Sequence, residues 1–192
     1  MKQMDEITIR AARLDDAGPI AQVDVETWQA AYAGILTTPY LAGLTTARRE
    51  TGWTNLIRKE PHDVQVVAAG DGTIVGFGSC GKCRGEPDFT SEVFTLYVAP
   101  DWQNRGIGRR LLLAMFERLA EQGHGSVVIW VLRENPARFF YQRLGGKEVR
   151  RKLLPFNGAQ VAASGYGWRD LPGYLAAVGK LDRKPADRQP EA

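Results

Sequence analysis

The chain contains little cysteine and histidine, with 2 residues of each among its 192 residues. Both cysteines lie in Cys80-Gly81-Lys82-Cys83, a spacing that occurs in redox motifs and in zinc sites. A zinc site needs a second pair of ligands, and neither His62 nor His124 stands at ligand spacing from this pair. A redox motif would begin a helix after a strand, which this segment does not do. We therefore expect two incidental thiols and no metal, with a fortuitous disulfide or metal contact as the alternative.

Long apolar runs and a strong excess of one charge are also missing. No segment is long enough to span a bilayer, and residues 1–6 are polar where a signal peptide would be apolar. The net charge of +3 is too small to indicate a nucleic-acid or membrane partner. We expect a cytoplasmic protein with one domain over residues 1–175 and a disordered, charged tail over residues 176–192. A homodimer stays open, because nothing in the sequence decides it.

The apolar pattern predicts an α/β protein with a mixed sheet. The order is one strand, two helices, three strands, a helix, a strand, a helix and two strands, which places helices on both sheet faces. The fourth strand, residues 92–98, has apolar residues at both odd and even positions, which point to opposite faces of the sheet. We therefore expect both of its faces to be covered. The predicted strands cover 7–10, 64–69, 73–79, 92–98, 126–132, 147–153 and 165–171, and the predicted helices 16–32, 46–59, 108–122 and 136–144.

Residues 92–112 are the most informative segment, because they predict a strand, a short loop with two glycines, and a helix. Such a junction leaves backbone N–H groups unpaired at a helix N-terminus, where the helix dipole favours negative charge. Gly106 and Gly108 would let an anionic ligand approach the backbone closely. Arg105 and Arg109 stand beside them and could add charge-assisted hydrogen bonds. The expected ligand is a diphosphate.

The spacing around the glycines narrows the kind of diphosphate site. The sequence contains no P-loop, and Leu111 occupies the position where a dinucleotide fingerprint needs a small residue. The pattern Gln103-x-x-Gly106-x-Gly108, after an apolar strand that ends at Pro100, resembles the acetyl-coenzyme A loop of the GNAT superfamily of N-acetyltransferases. The predicted order of elements is similar to the GNAT fold as well, so the resemblance covers nearly the whole chain. An ordinary tight turn between strand and helix is the alternative.

The resemblance implies a GNAT-like acyl-CoA N-acyltransferase fold, in which a mostly antiparallel sheet splays between its fourth and fifth strands. Acetyl-CoA would be the co-substrate, with its pantetheine arm lying between the splayed strands. Backbone N–H groups near the end of the fourth strand would bind the arm and polarise the thioester carbonyl. The coenzyme-binding residues that the resemblance implies are Leu96, Tyr97, Val98, Gln103, Asn104, Arg105, Gly106, Ile107, Gly108, Arg109, Asn135 and Arg138.

Two residues carry the chemistry that the resemblance implies. Tyr141, in the motif Asn135-x-x-Arg138-Phe139-Phe140-Tyr141, matches a tyrosine that protonates the departing thiolate. A phenol has a pKa of about 10 and keeps its proton at neutral pH. Glu92, a charged residue at the start of a strand, matches an acid that deprotonates the acceptor ammonium. The alternatives are a core tyrosine and an exposed carboxylate at the strand end.

The acceptor is the least specified part of the reaction. Trp28 and Tyr32, with further aromatic residues of the first two helices and Phe156, are expected to wall its site. We expect a primary amine of a small molecule, attacked directly in a ternary complex. A peptide or protein N-terminus is the rival acceptor, and a non-catalytic coenzyme A-binding module is the rival class. The pair Gly145-Gly146 departs from the Gly-Phe that the superfamily often has, so the packing there is expected to differ.

Overall fold

A computed structural model describes residues 6–60, 63–156 and 158–182 of the chain. Seven strands form a single sheet in the order β1-β2-β3-β4-β5-β7-β6. β6 and β7 form a long hairpin, and β7 pairs with β5. The strands are β1 Thr8–Ala11, β2 Val64–Ala68, β3 Ile74–Lys82, β4 Ser91–Val98, β5 Val127–Leu132, β6 Lys147–Phe156 and β7 Ala159–Trp168.

Six α-helices and two short 3-10 turns connect the strands in the described residues. The helices are α1 Ala17–Ala31, α2 Thr38–Ala42, α3 Thr46–Lys59, α4 Ile107–Glu121, α5 Ala137–Arg143 and α6 Leu171–Asp182, and the turns are Leu14–Asp16 and Pro100–Trp102. None of these helices combines the length and the hydropathy that crossing a membrane would require.

The predicted mixed sheet with helices on both faces is confirmed. On one face, α4 and α5 pack on the sheet around a core that includes Phe116 and Tyr141. On the other face, α1 and α3 cover a second core around Ile20 and Phe77. These helices bury the apolar stripes that their sequences carry at helical spacing, which stabilises both layers.

Two helices lie where the sequence pattern predicted other structure. α2 occupies residues between the predicted helices 16–32 and 46–59, where no helix was predicted. Its Pro39 is compatible with the first helical turn because the N–H it lacks would have no acceptor there. α6 starts where the last strand was expected to end. Asp170 accepts a hydrogen bond from the Gly173 amide at 3.0 Å, which caps the start of α6.

The predicted domain boundary at residue 175 falls inside α6, and residues 183–192 of the predicted tail lie outside the described residues. The division into domain and tail stays a prediction.

The Cys-x-x-Cys segment begins inside a strand instead of after it, because β3 extends to Lys82. Cys80 is buried among core residues, and burial raises the pKa of its thiol to about 12. Cys83 is half-buried, and both thiols are free. An alkaline pKa makes Cys80 a poor thiolate nucleophile at neutral pH.

The corner formed by Gly145 and Gly146 is filled by a tryptophan from a distant strand. A Cβ atom at Gly146 would stand 2.7 Å from Cη2 of Trp168, so only glycine fits beside this indole. The indole nitrogen donates a hydrogen bond to the Leu144 carbonyl at 3.0 Å. Trp168 therefore occupies the volume that a phenylalanine after Gly145 would otherwise fill.

The sheet opens between β4 and β5, as the resemblance implies. These strands are parallel, and their paired residues end at Val93 and Ile129. At the same level β4 carries a bulge against β3, because Ser79 pairs with Thr95 and Cys80 with Val93, which leaves Phe94 as the extra residue. The bulge bends β4 away from β5, so the last five residues of β4 border an open cleft.

Candidate active site

The cleft between the splayed strands is a cavity of about 690 Å³. Its walls come from α1, the upper half of β4, the start of α4, β5 and α5. The lining residues are Thr27, Ala30, Ala31, Tyr32, Val93–Val98, Gln103, Asn104, Gly106, Gly108, Arg109, Ile129–Val131, Asn135–Ala137, Phe140, Tyr141 and Arg143.

The loop before α4 presents backbone to this cavity. Gly106 has φ of 77° and precedes the first residue of the helix, a conformation that side-chain-bearing residues rarely adopt. Asn104 also has positive φ, at 61°. The Gln103 side chain donates to the Val98 carbonyl at 2.9 Å and ties the loop to the end of β4. The first-turn amides of Ile107 and Gly108 have no acceptor within the helix, so this end of the cavity suits an anion.

The arginines predicted for this region do not all reach the cavity. Arg109 lines it, and Arg143 of α5 does so as well. Arg105 instead donates to the Asp101 carbonyl at 2.8 Å and lies over the Trp102 ring. Arg138 donates to the Arg133 carbonyl at 3.0 Å. The side chains of Arg105 and Arg138 are thus held outside the lining.

Ile107 is buried in the core, which leaves only its backbone for a ligand.

The open edge of β4 offers alternate backbone amides to the cavity. Ala99 donates its amide to the Val75 carbonyl of β3 at 2.9 Å. Because amide directions alternate along a strand, the N–H groups of Leu96 and Val98 point away from β3, toward the cleft. The Tyr97 amide faces β3, which corrects the expectation that it would bind the coenzyme arm. Tyr97 contributes its side chain to the cavity instead.

Three tyrosine side chains from three elements meet at the split. The hydroxyls of Tyr32 on α1 and Tyr97 on β4 lie 3.3 Å apart. Burial raises the pKa of Tyr141 on α5, with a smaller contribution from Tyr32. Burial likewise raises the pKa of Tyr97 well above its usual value, and it raises that of Tyr32 although hydrogen bonds with Tyr97 and Asn135 oppose the shift. All three hydroxyls therefore keep their protons at neutral pH.

Asn135 caps α5 at the edge of this group. Its side-chain oxygen accepts a hydrogen bond from the Ala137 amide at 2.8 Å, and the residue is buried while lining the cavity. Capping fixes the first turn of α5 and therefore the position of Tyr141 one turn later.

Glu92 does not line the cavity. Its carboxylate accepts a hydrogen bond from the Arg84 amide at 3.1 Å and lies 3.9 Å from the Cys83 sulfur. The residue pairs with Gly81 and Val128, at a level of the sheet where β4 and β5 are still joined. The structure thus brings Tyr141 to the cleft and leaves Glu92 below it.

Aromatic side chains close the acceptor side of the cleft. Trp28 does not line the cavity, but its ring packs 4.7 Å from that of Tyr32 and backs it. The Trp28 ring also lies 6.2 Å from Phe156 at the end of β6, and the Tyr40 ring of α2 lies 6.3 Å from Phe156. We call Trp28, Tyr40 and Phe156 the aromatic gate, because they join the helical wall to the β6–β7 hairpin.

The lining also contains residues that the sequence analysis did not select for the site, among them Thr27, Trp130, Phe140 and Arg143. Thr27 had a readable signal, because it was a polar residue on the otherwise apolar stripe of α1. Its hydroxyl is buried and makes no hydrogen bond in the structure, although the residue lines the cavity. Trp130 and Phe140 lay in apolar runs and were indistinguishable from core.

Comparison with known proteins gives consistent results. A model described as "Acetyltransferase (GNAT) family" matches residues 27–146. An uncharacterized N-acetyltransferase of Bacillus subtilis, YuaI, is 32% identical over 166 residues, spanning 86% of this chain and 94% of the relative. N-alpha-acetyltransferase RimI of Mycobacterium tuberculosis is 36% identical over 103 residues, spanning 52% of this chain and 63% of the relative.

A solved structure, the PaiA N-acetyltransferase of Thermoplasma acidophilum in complex with coenzyme A, superimposes with a TM-score of 0.63 at 22% identity. The superposition covers 83% of this chain and 98% of that one. At this identity the likeness shows a shared fold.

Proposed function

The chain belongs to the acetyltransferase (GNAT) family and is an acetyl-CoA-dependent N-acetyltransferase. We infer that its acceptor is the primary amine of a small molecule. The acetyl group moves by direct attack of the amine on the thioester in a ternary complex. The closed aromatic gate is the observation that carries the choice of acceptor.

Coenzyme binding is supported by backbone geometry. The N–H groups at the start of α4, together with Arg109, would hold the diphosphate, and the loop geometry at Gly106 lets the phosphates approach. The amides of Leu96 and Val98 face the cleft where the pantetheine arm would run. A thioester carbonyl placed there would receive two donors in an apolar setting, which stabilises the developing oxyanion.

The reaction then needs few further groups. The amine lone pair attacks the carbonyl carbon, a C–N bond forms and the C–S bond breaks. Tyr141 gives its hydroxyl proton to the departing sulfur. The nitrogen loses one proton to solvent, and solvent returns a proton to the Tyr141 oxygen. Acetylation of a neutral amine therefore releases no net proton. The raised pKa of Tyr141 is compatible with this role, because the hydroxyl stays protonated until the thiolate forms.

The aromatic gate limits the size of the acceptor. A peptide chain bound to this fold needs an open groove between the helical wall and the last hairpin. Here Phe156 of the hairpin contacts both Trp28 and Tyr40 of the wall, and Leu36 and Leu41 lie in the same apolar cluster. The contacts favour a closed pocket that accepts a small molecule.

The rival acceptor is a protein N-terminus, which the name of the Mycobacterium tuberculosis relative suggests. A screen that follows release of free coenzyme A thiol separates the two readings. Small primary amines and peptides with free N-termini would be tested at equal concentrations with saturating acetyl-CoA. We expect turnover with small amines and at least about tenfold less with peptides, a difference of about 1.4 kcal/mol in transition-state binding. Preference for peptides would overturn the small-molecule assignment.

A non-catalytic coenzyme A-binding module gives a third outcome of the same screen. Such a module would bind acetyl-CoA, measured as a rise in melting temperature, and would release no thiol with any acceptor. The buried Tyr141 in the cleft favours catalysis, because a binding module has no need for a proton donor there.

A further inference from the structure

The charges around the cleft are unusual for a site that receives an amine. Among the described residues that line the cavity, the charged side chains are Arg109 and Arg143, both positive. No aspartate or glutamate stands in that lining. Lys152 lies close by, with its nitrogen 3.5 Å from the centroid of the Trp130 ring and 4.0 Å from the Glu86 carboxylate. A protonated amine entering here therefore meets no carboxylate among the described lining residues.

The carboxylates near the cleft are engaged elsewhere. Glu92 accepts from the Arg84 amide, and Glu148 binds Arg151 at 2.6 Å and the Ser164 hydroxyl at 2.8 Å. Asp24, on the α3 side of α1, is the nearest buried acid.

One Asp24 oxygen accepts a hydrogen bond from the Trp53 indole at 3.0 Å and lies 3.5 Å from Arg49. The other oxygen is buried and makes no hydrogen bond to any residue that the structure describes, and Asp24 does not line the cavity. Burial raises the pKa of Asp24, which the Arg49 charge and the Trp53 hydrogen bond oppose. Neither oxygen is therefore available to an acceptor.

The hydroxyl pair of Tyr32 and Tyr97 is the polar group that the acceptor nitrogen would meet instead. Both residues line the cavity, and their oxygens are 3.3 Å apart. Because one hydroxyl donates to the other, the pair has one O–H left to donate to a nitrogen lone pair, and its oxygens can accept from an N–H group. A neutral amine matches both properties, whereas an ammonium has no lone pair and brings a charge that hydroxyls do not neutralise.

We propose that the Tyr32 and Tyr97 hydroxyls hold the acceptor nitrogen as a neutral amine, so that the substrate is a small apolar or aromatic primary amine without a second cationic group. The inference rests on the proposed function and specifies its substrate class. The ring faces of Tyr32, Tyr97 and Trp130 provide apolar surface for the body of such an amine. A polyamine would have to bury additional charges against a described lining that contains no carboxylate.

The pH dependence follows from the acceptor and not from an enzyme carboxylate. Below the pKa of the amine, its neutral fraction rises tenfold per pH unit, and kcat/KM rises with it. The titratable groups that face the hydroxyl pair are Asp24 of α1 and Tyr141 of α5, with Arg49 of α3 paired to Asp24. The three tyrosines keep their protons through this range, because burial raises the pKa of each.

The first test compares acceptors of different charge and basicity. The probes are phenethylamine, a fluorinated phenethylamine of lower pKa, putrescine and spermidine, each followed by thiol release with saturating acetyl-CoA. We expect kcat/KM for phenethylamine to exceed that for spermidine by about a hundredfold, since each uncompensated buried charge is costly. The pH at which kcat/KM levels off should move down with the acceptor pKa. Equal break points for all acceptors, or a preference for spermidine, would overturn the proposal.

The second test removes each hydroxyl. Tyr32→Phe and Tyr97→Phe keep the rings and should each lower kcat/KM for the amine about tenfold, mainly through KM, the loss expected for one hydrogen bond. The KM for acetyl-CoA should stay unchanged. Tyr166→Phe is the matched control, because its buried hydroxyl accepts from Gln142 at 3.2 Å and does not line the cavity. Unchanged amine kinetics in both variants would contradict the role.

The outcomes separate this inference from the proposed function. If small amines are acetylated and spermidine is preferred, the small-molecule assignment stands and the neutral-amine site fails. If peptides are preferred over every small amine, the proposed function itself fails.

Discussion

The two halves of the cleft are built in different ways. The coenzyme half uses backbone: the amides at the start of α4, the edge amides of β4, and a glycine with φ of 77°. The acceptor half uses side chains from α1, α2, β4, β5 and β6, which meet only in the folded protein. A backbone site tolerates change in most side chains nearby, whereas an aromatic pocket changes with each residue. The first half therefore fixes the reaction class, and the second selects the acceptor.

The comparison predicts that disrupting the junction of the halves has the largest effect. Tyr141 stands there, and Tyr141→Phe should lower kcat by about a hundredfold or more, the usual contribution of a positioned general acid. Because phenylalanine keeps the packing against Phe140 and Tyr166, acetyl-CoA should bind as before. Stopped-flow turnover and calorimetry with acetyl-CoA measure the two quantities.

A parallel loss of turnover and coenzyme affinity in Tyr141→Phe would contradict the proton-donor role. It would assign Tyr141 to the structure of the cleft, where its ring packs against Tyr166.

The backbone half should be sensitive to conformation and indifferent to side-chain chemistry. Gly106→Val forces a β-branched residue into the left-handed region and should weaken acetyl-CoA binding at least about tenfold, from a strain of about 1–2 kcal/mol. Gly123→Val is the matched control at the other end of α4, where φ is 86° and nothing lies within 4 Å of a Cβ atom. Both variants should lose similar stability, and Gly106→Val alone should lose coenzyme affinity. Equal coenzyme affinity in the two would remove the loop from the site.

The fold was predictable to a large extent because its signals are local. The bounds of α3 agree with the prediction, and the split between β4 and β5 was expected from the resemblance. α6 was missed because only Arg169 and Asp170 separate it from β7, and its start depends on the Asp170 cap. β3 continues past Cys80 to Lys82 because these residues pair with β4, a contact between distant segments that local pattern does not reveal.

The site divides along the same line. The residues that act through backbone, such as Gly106 and Gly108, follow from spacing in the chain. The residues that act through side chains depend on direction. Arg105 was predicted to bind the coenzyme and Arg143 was not selected, but the Arg105 side chain lies over Trp102 and Arg143 lines the cavity. Tyr97 illustrates both cases, because its place beside the cleft was predicted but its amide faces β3 and not the cleft.

The side-chain half should respond to the gate with a change in selectivity. Phe156→Ala removes the contacts with Trp28 and Tyr40 and opens the groove between α2 and the hairpin. We expect KM for small amines to rise about fivefold, which corresponds to about 1 kcal/mol and lies within the range for losing one aromatic pair. Activity toward peptides with free N-termini should increase. Phe139→Ala, at a ring that is 49% exposed, is the control. A Phe156→Ala enzyme with unchanged selectivity would show that the gate does not limit the acceptor.

The smallest effect is expected at Glu92, the residue in which sequence and structure disagree most. Glu92→Gln keeps an oxygen for the Arg84 amide and leaves the cleft untouched, so turnover should change less than about twofold. The pH–rate profile should also keep its shape, because the carboxylate that is removed does not face the acceptor. A variant whose rate falls at low pH and recovers at higher pH would restore Glu92 as the base. The acceptor would then have to approach through the Cys83–Arg84 side of β4, outside the aromatic pocket.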